Sequence, residues 1–295
     1  MTGPDVATGP PGDGYALGRT SAEYQRLRWQ AALFEQVTAR VLGQVGVGRG
    51  QRCLDVGCGA GDVMRLLAGL AGPAGQVTGI DNDARLGGEA LAVLRATVPG
   101  RFDFVAADVE TAEEVPGGPF DLVFARFLLF HVHDPAAVVR KLYGWTKPGG
   151  VLLVQDFDAR TMDVVPPLAT WPEYERVVYG MFAQAGADPG VGRKLPLHFS
   201  AAGLGLPDGT DVTGLLLPLP EIVRMYRAMY TNLRPAALRL GLTTEADGDA
   251  FLAELTEATA PGQGQRQGQG PGPGPADRTA MPPLVISAWK RKPLR

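Results

Sequence analysis

The sequence predicts an α/β fold, a doubly wound and mostly parallel sheet with helical additions over one edge. Short apolar segments alternate with helical segments between residues 50 and 156, which is typical of parallel strands covered by helices on both faces. The first apolar segment, Arg52–Val56, is followed by glycines at positions 57, 59 and 61 and then by a helical segment. Such a turn forms a ligand-binding corner in doubly wound sheets.

The predicted elements follow the chain in the order that this fold requires. Apolar residues at helical spacing cover Ser21 to about Leu42, and Asp134 with Pro135 starts a later helix as its N-cap and first residue. Lys147–Gly150 is predicted as a turn. The strands are Arg52–Val56, Gln76–Asp81, Phe102–Ala107, Phe120–Ala125 and Val151–Gln155, and the helices between them are Val63–Ala71, Glu89–Val98 and Ala136–Trp145.

The second half adds elements that a minimal sheet does not need. We expect helical additions at about 158–192 and 219–260 to cover the carboxyl edge of the sheet as a lid. The amphipathic segment 221–240 can serve as lid or as the face of a homodimer. The predicted elements are the helices Trp171–Ala187, Leu195–Leu204, Glu221–Leu240 and Thr243–Ala260, the strand Thr210–Leu217 and the edge strand Leu284–Trp289.

One domain over residues 15–295 accounts for this pattern. Residues 1–14 are rich in Gly and Pro, and we expect them to be flexible. The tract Gly262–Pro275 contains mainly Gly, Gln and Pro and cannot bury a core, so we predict a disordered loop over residues 261–282.

Bulk properties disfavour several classes of protein. The net charge of −3 offers no basic field for a nucleic-acid backbone. No apolar run is long enough to span a membrane, and a signal peptide is not evident, so we expect a cytoplasmic protein. Cys53 and Cys58 are predicted to be reduced packing residues, and no ligand spacing predicts a metal.

The spacing of the glycines excludes two nucleotide-binding motifs. A dinucleotide fingerprint that starts at Gly57 needs glycine at position 62, where Asp62 stands. No Gly-Lys-Ser/Thr follows, as a P-loop requires. A nicotinamide-dependent dehydrogenase is therefore the least favoured enzyme class.

Carboxylates end the next two predicted strands. Asp81 can accept both hydroxyls of a ribose, with Asn82 beside it, or can instead cap the following helix. Asp108 can accept from an adenine amino group while the Val109 amide donates to the ring, or can simply be a turn residue. We favour the ligand-binding interpretation for both acids.

Asp55-x-Gly57-x-Gly59-x-Gly61 resembles the first motif of the class I S-adenosylmethionine-dependent methyltransferases, whose fold is Rossmann-like. The resemblance continues in family order through Gly79–Asp81, Ala106–Val109, Phe120–His131 and Lys147–Gly150. It implies S-adenosyl-L-methionine as cofactor. In such an enzyme Asp55 helps to hold the amino-acid end of the cofactor, or caps the amides of its own turn, while Gly57 and Gly59 expose backbone groups and Arg126 borders the methionine part.

The flanking segments resemble bacterial members of this family that act on small molecules. The segment that begins at Tyr15 is similar to an N-terminal lid over the cofactor, which makes Tyr15 a candidate contact. Gln30 is a polar candidate on the first helix, or only a packing residue. Gly192–Pro196 and Ala288–Pro293 are similar to later segments of the same group.

We therefore predict a methyltransferase that acts on a small molecule of the specialised-metabolite kind. His131 is the first candidate base because it follows the fourth strand at the ligand-binding edge, although a histidine here is often structural in the resembling family. Asp156 and Asp158 are alternative bases. His133 is assigned to the start of the next helix, and His198 to a pocket wall or a helix cap.

The acceptor is inferred from what the lid segments contain. The Asn/Asp-Pro-Pro-Tyr/Phe segment of amino-directed nucleic-acid methylators is missing after the fourth strand. The lid segments are rich in aromatic residues and methionine, which indicates a partly aromatic or lipophilic acceptor or else an ordinary core. Two alternatives remain open at this point: a fold relative that binds the cofactor but catalyses a cyclisation or decarboxylation, and a non-catalytic partner protein.

Overall fold

The computed structural model describes residues 21–259 and 278–294, with the backbone alone for 21–25. Tyr15, the N-terminal segment 1–14 and most of the predicted disordered loop lie outside these residues. The helices are α1 Ser21–Leu33, α2 Glu35–Gln44, α3 Asp62–Ala71, α4 Ala84–Thr97, α5 Pro135–Trp145, α6 Trp171–Gln184, α7 Leu195–Ala201, α8 Leu219–Arg239 and α9 Glu245–Glu257. The strands are β1 Arg52–Val56, β2 Gln76–Asp81, β3 Arg101–Ala106, β4 Phe120–Arg126, β5 Thr146–Asp158, β6 Asp163–Val165, β7 Gly209–Thr213, β8 Leu217–Pro218, β9 Thr279–Met281 and β10 Leu284–Arg291.

Seven of these strands form the central sheet, in the order β3-β2-β1-β4-β5-β10-β7. The first five run parallel to one another, and β10 is antiparallel to both β5 and β7. The strand order reverses beside β1, so the loops after β1 and β4 diverge there and leave a crevice at the carboxyl edge. This confirms the predicted doubly wound, mostly parallel sheet.

The last strand differs from its prediction as an edge strand. β10 lies between β5 and β7, and Val285 and Ala288 are fully buried. The edge is β7, which alternates between half-buried and exposed residues. β7 corresponds to the predicted strand Thr210–Leu217, but its short, polar sequence does not indicate that it pairs with β10.

The segment Lys147–Gly150 also differs from its prediction as a turn, because it belongs to β5. The register against β4 shifts between Phe120 and Leu122, so the extra residues are accommodated as an irregularity in the ladder. A Cβ atom on Gly150 would lie 2.7 Å from the Asp121 carbonyl oxygen. Glycine is therefore needed there for close backbone packing.

The lid, defined as α6, α8 and α9, packs over the carboxyl edge of the sheet. The apolar face of α8, including Ile222, Met225 and Tyr226, is buried within this chain, which supports the lid alternative over a dimer face. A small sheet in the order β6-β9-β8 contacts α8. β9 occupies residues 279–281, so this end of the predicted disordered loop 261–282 is ordered.

Helix starts follow their sequence signals. Asp134 accepts a hydrogen bond from the Ala137 amide at 2.9 Å, as the N-cap of α5. Thr244 accepts one from the Asp247 amide at 3.1 Å and begins α9. Among the described helices, none has the length and apolar content needed to cross a membrane.

Candidate functional site

A cavity of about 390 Å³ lies between the carboxyl edge of the sheet and the lid. Two kinds of wall meet in it. The acidic half is formed by the ends of β1, β2, β3 and β4, and its lining includes Asp55, Asp62, Asp81, Asp83, Asp108 and Glu110. The apolar half is formed by α1, the lid and the segments after β4 and β5, and its lining includes Leu27, Phe34, Phe130, Phe157, Met162, Tyr174, Val178, Phe182, Met225 and Met229.

The glycine turn brings backbone into the acidic half. Gly59 has φ +48°, and a Cβ atom there would meet nothing within 4 Å. A side chain at this position would therefore enter the cavity itself. Gly61 has φ +81°, and its Cβ would lie 3.0 Å from Leu94 and 3.2 Å from Ala90, so this glycine is needed for packing on α4. The glycine turn therefore leaves room for a ligand to approach the backbone at Gly59.

Asp81 braces this turn at the end of β2. Its Oδ2 accepts from the Gly59 amide at 2.8 Å and its Oδ1 from the Asp83 amide at 2.8 Å. The N-cap of α4 is Asp83, which accepts from the Leu86 amide at 2.9 Å. The alternative interpretation of Asp81 as the helix cap is therefore wrong. Asn82 lies beside it on the cavity wall.

Asp55 is the next-to-last residue of β1, just before the glycine turn, and is 1% exposed. It accepts a hydrogen bond from the Met64 amide, but its buried Oδ2 has no hydrogen-bond partner among the described residues. Burial raises the pKa of Asp55 to about 7, with Asp81 and Asp62 adding to the rise and Arg126 opposing it. A buried carboxyl of this kind is suited to a ligand that brings a donor or a positive charge.

Arg126 is the last residue of β4 and lines the same half of the cavity. Its Nη1 donates to Thr38 Oγ1 at 3.2 Å, and Thr38 donates to Gln155 Oε1 at 2.7 Å. Gln155 in turn donates to Ser287 Oγ at 2.9 Å. Burial lowers the pKa of Arg126, while Asp55 and Asp62 oppose that change. This chain of polar groups fixes the guanidinium at the floor of the acidic half.

Asp108 and Val109 follow β3 at the far side of the acidic half. Asp108 Oδ1 accepts from the Glu110 amide at 2.8 Å, which is the turn role weighed for it from the sequence. Both residues also line the cavity. A side chain can fill the two roles together, because a carboxylate has a second oxygen to offer.

His131 lies at the junction of the two halves, in a short 3-10 turn Leu129–His131 after β4. The ring of Phe130 meets its imidazole edge to face at 5.0 Å. Burial lowers the pKa of His131 to about 4, and the charge of Arg26 adds to the effect. The imidazole is therefore neutral at pH 7.

The alternative bases Asp156 and Asp158 are contradicted by their positions, because neither lines the cavity. Asp156 is fully buried, and its carboxylate accepts from the amides of Leu129 at 2.9 Å and Phe157 at 3.0 Å. Asp158 is 3% exposed and forms an ion pair with Arg193. Asp156 instead holds the turn that carries His131.

Of the other two histidines, His133 lines the cavity and His198 does not. His133 is exposed and contacts Glu110 through Nδ1 at 3.0 Å. His198 lies within α7 and is not part of the cavity lining. Its buried Nε2 has no hydrogen-bond partner among the described residues.

The predicted aromatic lid divides into wall and core. Tyr174, Phe182, Met225 and Met229 line the cavity. Trp171, by contrast, stacks on Tyr174 with ring centroids 4.6 Å apart and meets Tyr226 at 5.1 Å, inside the helix packing. The lid residues thus divide between cavity lining and helix core, and the chemical nature of the acceptor stays a prediction.

The sequence model of the methyltransferase domain matches residues 24–185, which is more than half of the chain. The chain belongs to the methyltransferase-domain family. It is an S-adenosyl-L-methionine-dependent methyltransferase with a class I fold. It belongs among the methyltransferases that act on small molecules.

Two curated relatives agree with this assignment. Trans-aconitate 2-methyltransferase of Streptomyces avermitilis is 32% identical over 224 residues, which cover 70% of this chain and 76% of the relative. The ubiquinone/menaquinone biosynthesis C-methyltransferase of Pseudomonas putida is 38% identical over 117 residues, covering 39% of this chain and 45% of the relative. A solved Bacillus halodurans structure assigned as a methyltransferase matches with a TM-score of 0.54 at 17% identity, over 86% of this chain and 98% of that one, and supports the fold alone.

The residues of this methyltransferase fit the cofactor that its family uses. The features that such a ligand would fill are the open space at Gly59 and the buried Oδ2 of Asp55, which has no hydrogen-bond partner in the part of the chain that the structure describes. Within residues 21–259 and 278–294 no cluster of His, Cys, Asp and Glu could hold a metal ion. Cys53 and Cys58 are buried free thiols.

Sequence reasoning missed several residues that line the cavity of the methyltransferase. Arg26 and Phe34 of α1, Phe130, Phe157 and Pro283 belong to this group. Leu27, Ala31 and Phe34 are part of the predicted apolar stripe of the first helix, and Gln30 lies beside them on the wall. The apolar stripe of the first helix was the sequence signal for these residues. The stripe alone does not show whether it faces a cavity or packs in the core, because that depends on where the lid lies.

Proposed function

We propose that this methyltransferase binds S-adenosyl-L-methionine in the acidic half of its cavity and methylates a small acceptor, a specialised metabolite, in the apolar half. The observation that carries the proposal is the continuity of the two halves around His131 and Phe130. A methyl donor at the strand ends would thereby meet an apolar acceptor under the lid, away from bulk water.

The acidic half offers a group for each part of the cofactor. Asp81 is proposed to accept the ribose hydroxyls, since its carboxylate is held rigidly by two backbone amides. Asp108 and the Val109 amide are proposed to bind the adenine. Asp55 and Arg126 are proposed to face the charged amino-acid end, where one offers a buried carboxyl and the other a guanidinium.

When bound, the cofactor supplies an electrophilic methyl group on a sulfonium. The chain itself provides alignment and a dry chamber, and such positioning can lower a barrier by about 7–11 kcal/mol in ideal cases. The rings of Phe130 and Phe182 pack edge to face at 4.7 Å, and Phe130 contacts Phe157 at 5.0 Å. These contacts give the apolar half a rigid wall from which water is excluded.

His131 is proposed as the base that accepts a proton from the acceptor. Its lowered pKa keeps the imidazole neutral, which is the protonation state that a base needs. The same low pKa disfavours the imidazolium, so the acceptor group must itself be acidic, as a phenol or an activated carbon is. Asp156 fixes the ring indirectly by holding the preceding turn.

The acceptor class draws limited support from the relatives. The Streptomyces avermitilis relative is named for trans-aconitate, a small carboxylic acid, and this chain spans 76% of it. The Pseudomonas putida relative is named for quinone biosynthesis, but this chain spans only 45% of it. Both names support a small molecule, and trans-aconitate is the first acceptor to test.

The experiment combines cofactor binding with turnover. Calorimetry with S-adenosylhomocysteine measures binding, and mass spectrometry follows S-adenosylhomocysteine together with a methylated product from an acceptor collection. The matched control is Gly59→Val, whose side chain would occupy the cavity. Binding by the wild type and not by this variant is expected. Absence of binding by the intact chain contradicts the proposal, and product without S-adenosylhomocysteine indicates a non-methylating reaction instead.

A further inference from the structure

The lid contains four tyrosines, and their hydroxyl groups differ in what they contact. Three of them donate to an oxygen atom: Tyr179 to the Ala159 carbonyl at 2.9 Å, Tyr226 to the Met281 carbonyl at 3.1 Å and Tyr230 to Glu173 Oε1 at 2.7 Å. The fourth, Tyr174, has Met162 Sδ as its partner at 4.0 Å in the part of the chain that the structure describes. A thioether is only a weak acceptor, so the hydroxyl of Tyr174 is the least well satisfied of the four.

The ring of Tyr174 is fixed from the core side of the lid. It stacks on Trp171 with ring centroids 4.6 Å apart, and it meets Tyr226 at 5.5 Å and Phe251 at 5.6 Å. These three neighbours lie outside the cavity lining, whereas Tyr174 and Met162 both belong to it. The hydroxyl end beside Met162 is therefore the part of Tyr174 that reaches the cavity.

This hydroxyl keeps its proton and can donate it in a hydrogen bond. Burial raises the pKa of Tyr174 well above its usual value, with Tyr226 and Tyr179 adding to the rise and Arg26 opposing it. The residue is 1% exposed, so the hydroxyl has given up its hydration for a single weak acceptor. An oxygen atom of a ligand would supply the missing hydrogen bond.

The rest of the apolar half consists mainly of aromatic rings and thioethers. Phe130, Phe182, Met225 and Met229 share the lining with Tyr174. A hydrogen bond is stronger in such a medium of low dielectric, and a few placed polar groups orient the ligand in a pocket of this kind. A carbonyl oxygen only accepts, whereas a ligand hydroxyl would bring a proton that needs an acceptor of its own. A carbonyl on an apolar body therefore matches this wall best.

We propose that the Tyr174 hydroxyl donates a hydrogen bond to a carbonyl oxygen of the acceptor, so that the substrate class is apolar ketones. This inference rests on the proposed function, because it assigns the apolar half to the acceptor. The carbonyl oxygen replaces the sulfur of Met162 as the partner of the hydroxyl, and the flexible methionine side chain can turn aside. A carbonyl group also acidifies a neighbouring C–H or a conjugated hydroxyl, which agrees with the acidic acceptor that the low pKa of His131 requires.

The test is calorimetry at saturating S-adenosylhomocysteine with ketones and their counterparts in which a methylene group replaces the carbonyl. The pairs are acetophenone with ethylbenzene, propiophenone with propylbenzene, and cyclohexyl methyl ketone with ethylcyclohexane. We expect at least one ketone to bind about fivefold or more tightly than its counterpart, which is the range of one net hydrogen bond.

Two variants separate the hydroxyl of Tyr174 from the packing of the lid. In Tyr174→Phe the ketone still loses its hydration but gains no hydrogen bond, so the preference should disappear or reverse, with the affinity for S-adenosylhomocysteine unchanged. Tyr226→Phe is the matched control, because it removes a lid hydroxyl that bonds a carbonyl of the protein outside the cavity. It should keep the preference for ketones and lower the melting temperature more than Tyr174→Phe does.

Each other result overturns the inference in a distinct way. Equal affinity for ketones and their counterparts, or a preference that survives Tyr174→Phe, removes the hydrogen bond, and an equal loss in Tyr226→Phe assigns the effect to lid packing. A tenfold loss of S-adenosylhomocysteine affinity in Tyr174→Phe assigns the hydroxyl to the cofactor. Tighter binding of para-ethylphenol or of trans-aconitate than of every ketone, or binding of no ketone by the complex with S-adenosylhomocysteine, refutes the substrate class. If the wild type does not bind S-adenosylhomocysteine at all, the proposed function itself has failed.

Discussion

Cofactor binding should depend on pH through Asp55. Burial raises the pKa of this carboxyl to about 7 in the ligand-free protein, and the amino-acid end of the cofactor brings a positive charge that favours the ionised form. If only the ionised carboxyl binds, the fraction available is about 90% at pH 8 and about 10% at pH 6. The dissociation constant for S-adenosylhomocysteine should therefore rise about tenfold between pH 8 and pH 6.

The variant Asp55→Asn isolates this effect. Asparagine keeps an oxygen for the Met64 amide and removes the ionisable group, so binding should weaken at pH 8 and lose its dependence on pH. The ligand is the same for both proteins, so the titration of its own amino group in solution is common to the two profiles. Asp103→Asn, at an exposed carboxylate on β3, should keep the wild-type dependence.

The assay is calorimetry in two buffers of different ionisation enthalpy, which counts the protons released on binding. Near pH 6.5 the wild type should release protons and Asp55→Asn should not. Equal proton release by the two proteins, or a flat wild-type profile between pH 6 and pH 8, would refute the reasoning.

Folding stability should change with pH in the opposite sense. Because the pKa of Asp55 is raised in the folded state, the folded protein holds a proton that the unfolded chain has already released between about pH 4 and pH 7. The contribution of this group to stability is complete below that window and is lost as the pH rises through it. The thermal midpoint of ligand-free Asp55→Asn should accordingly fall less than that of the wild type from pH 5 to pH 8.

Five further substitutions test other parts of the site. Asp81→Ala should weaken S-adenosylhomocysteine binding by about 1–3 kcal/mol, and an unchanged dissociation constant in calorimetry would retire its ribose role. Gly59→Ala should chiefly weaken S-adenosylhomocysteine binding, whereas Gly61→Ala should chiefly lower the melting temperature because its Cβ meets α4. The reverse pattern would contradict the assignment of the open space at Gly59 to the ligand. His131→Ala should lower kcat about 100-fold, and a near-normal rate would remove it as the base. Asp156→Ala should destabilise the fold by about 3 kcal/mol, since it leaves buried amides unpaired, and denaturant unfolding with an unchanged midpoint would contradict this.

The sheet and the acidic half could be predicted because their signals are local. Each strand is a short apolar run, and Asp81 and Asp108 stand where such runs end. In a parallel sheet all these ends meet at one edge, so chain order alone brings them together. The sequence predicts which acids share a cavity without any knowledge of side-chain contacts.

The errors come from information that lies between distant segments. Asp156 also follows a predicted strand, but alternation along β5 does not say what each face packs against, and its carboxylate proved to bind the turn after β4. β10 was wrongly predicted as an edge strand. The true edge strand is β7, whose short, polar sequence does not indicate that it pairs with β10. Arg26 was missed because a charged residue next to an apolar stripe is ordinary on an exposed helix, whereas in the structure it is buried on the cavity wall.

The most direct test of the two-part cavity is a crystal structure of the complex with S-adenosylhomocysteine. It should place the ribose hydroxyls at the Asp81 carboxylate, the adenine beside Val109 and the sulfur facing His131 and the apolar half. A ligand bound outside the cavity, or a cavity filled by other side chains of the protein, would contradict the account.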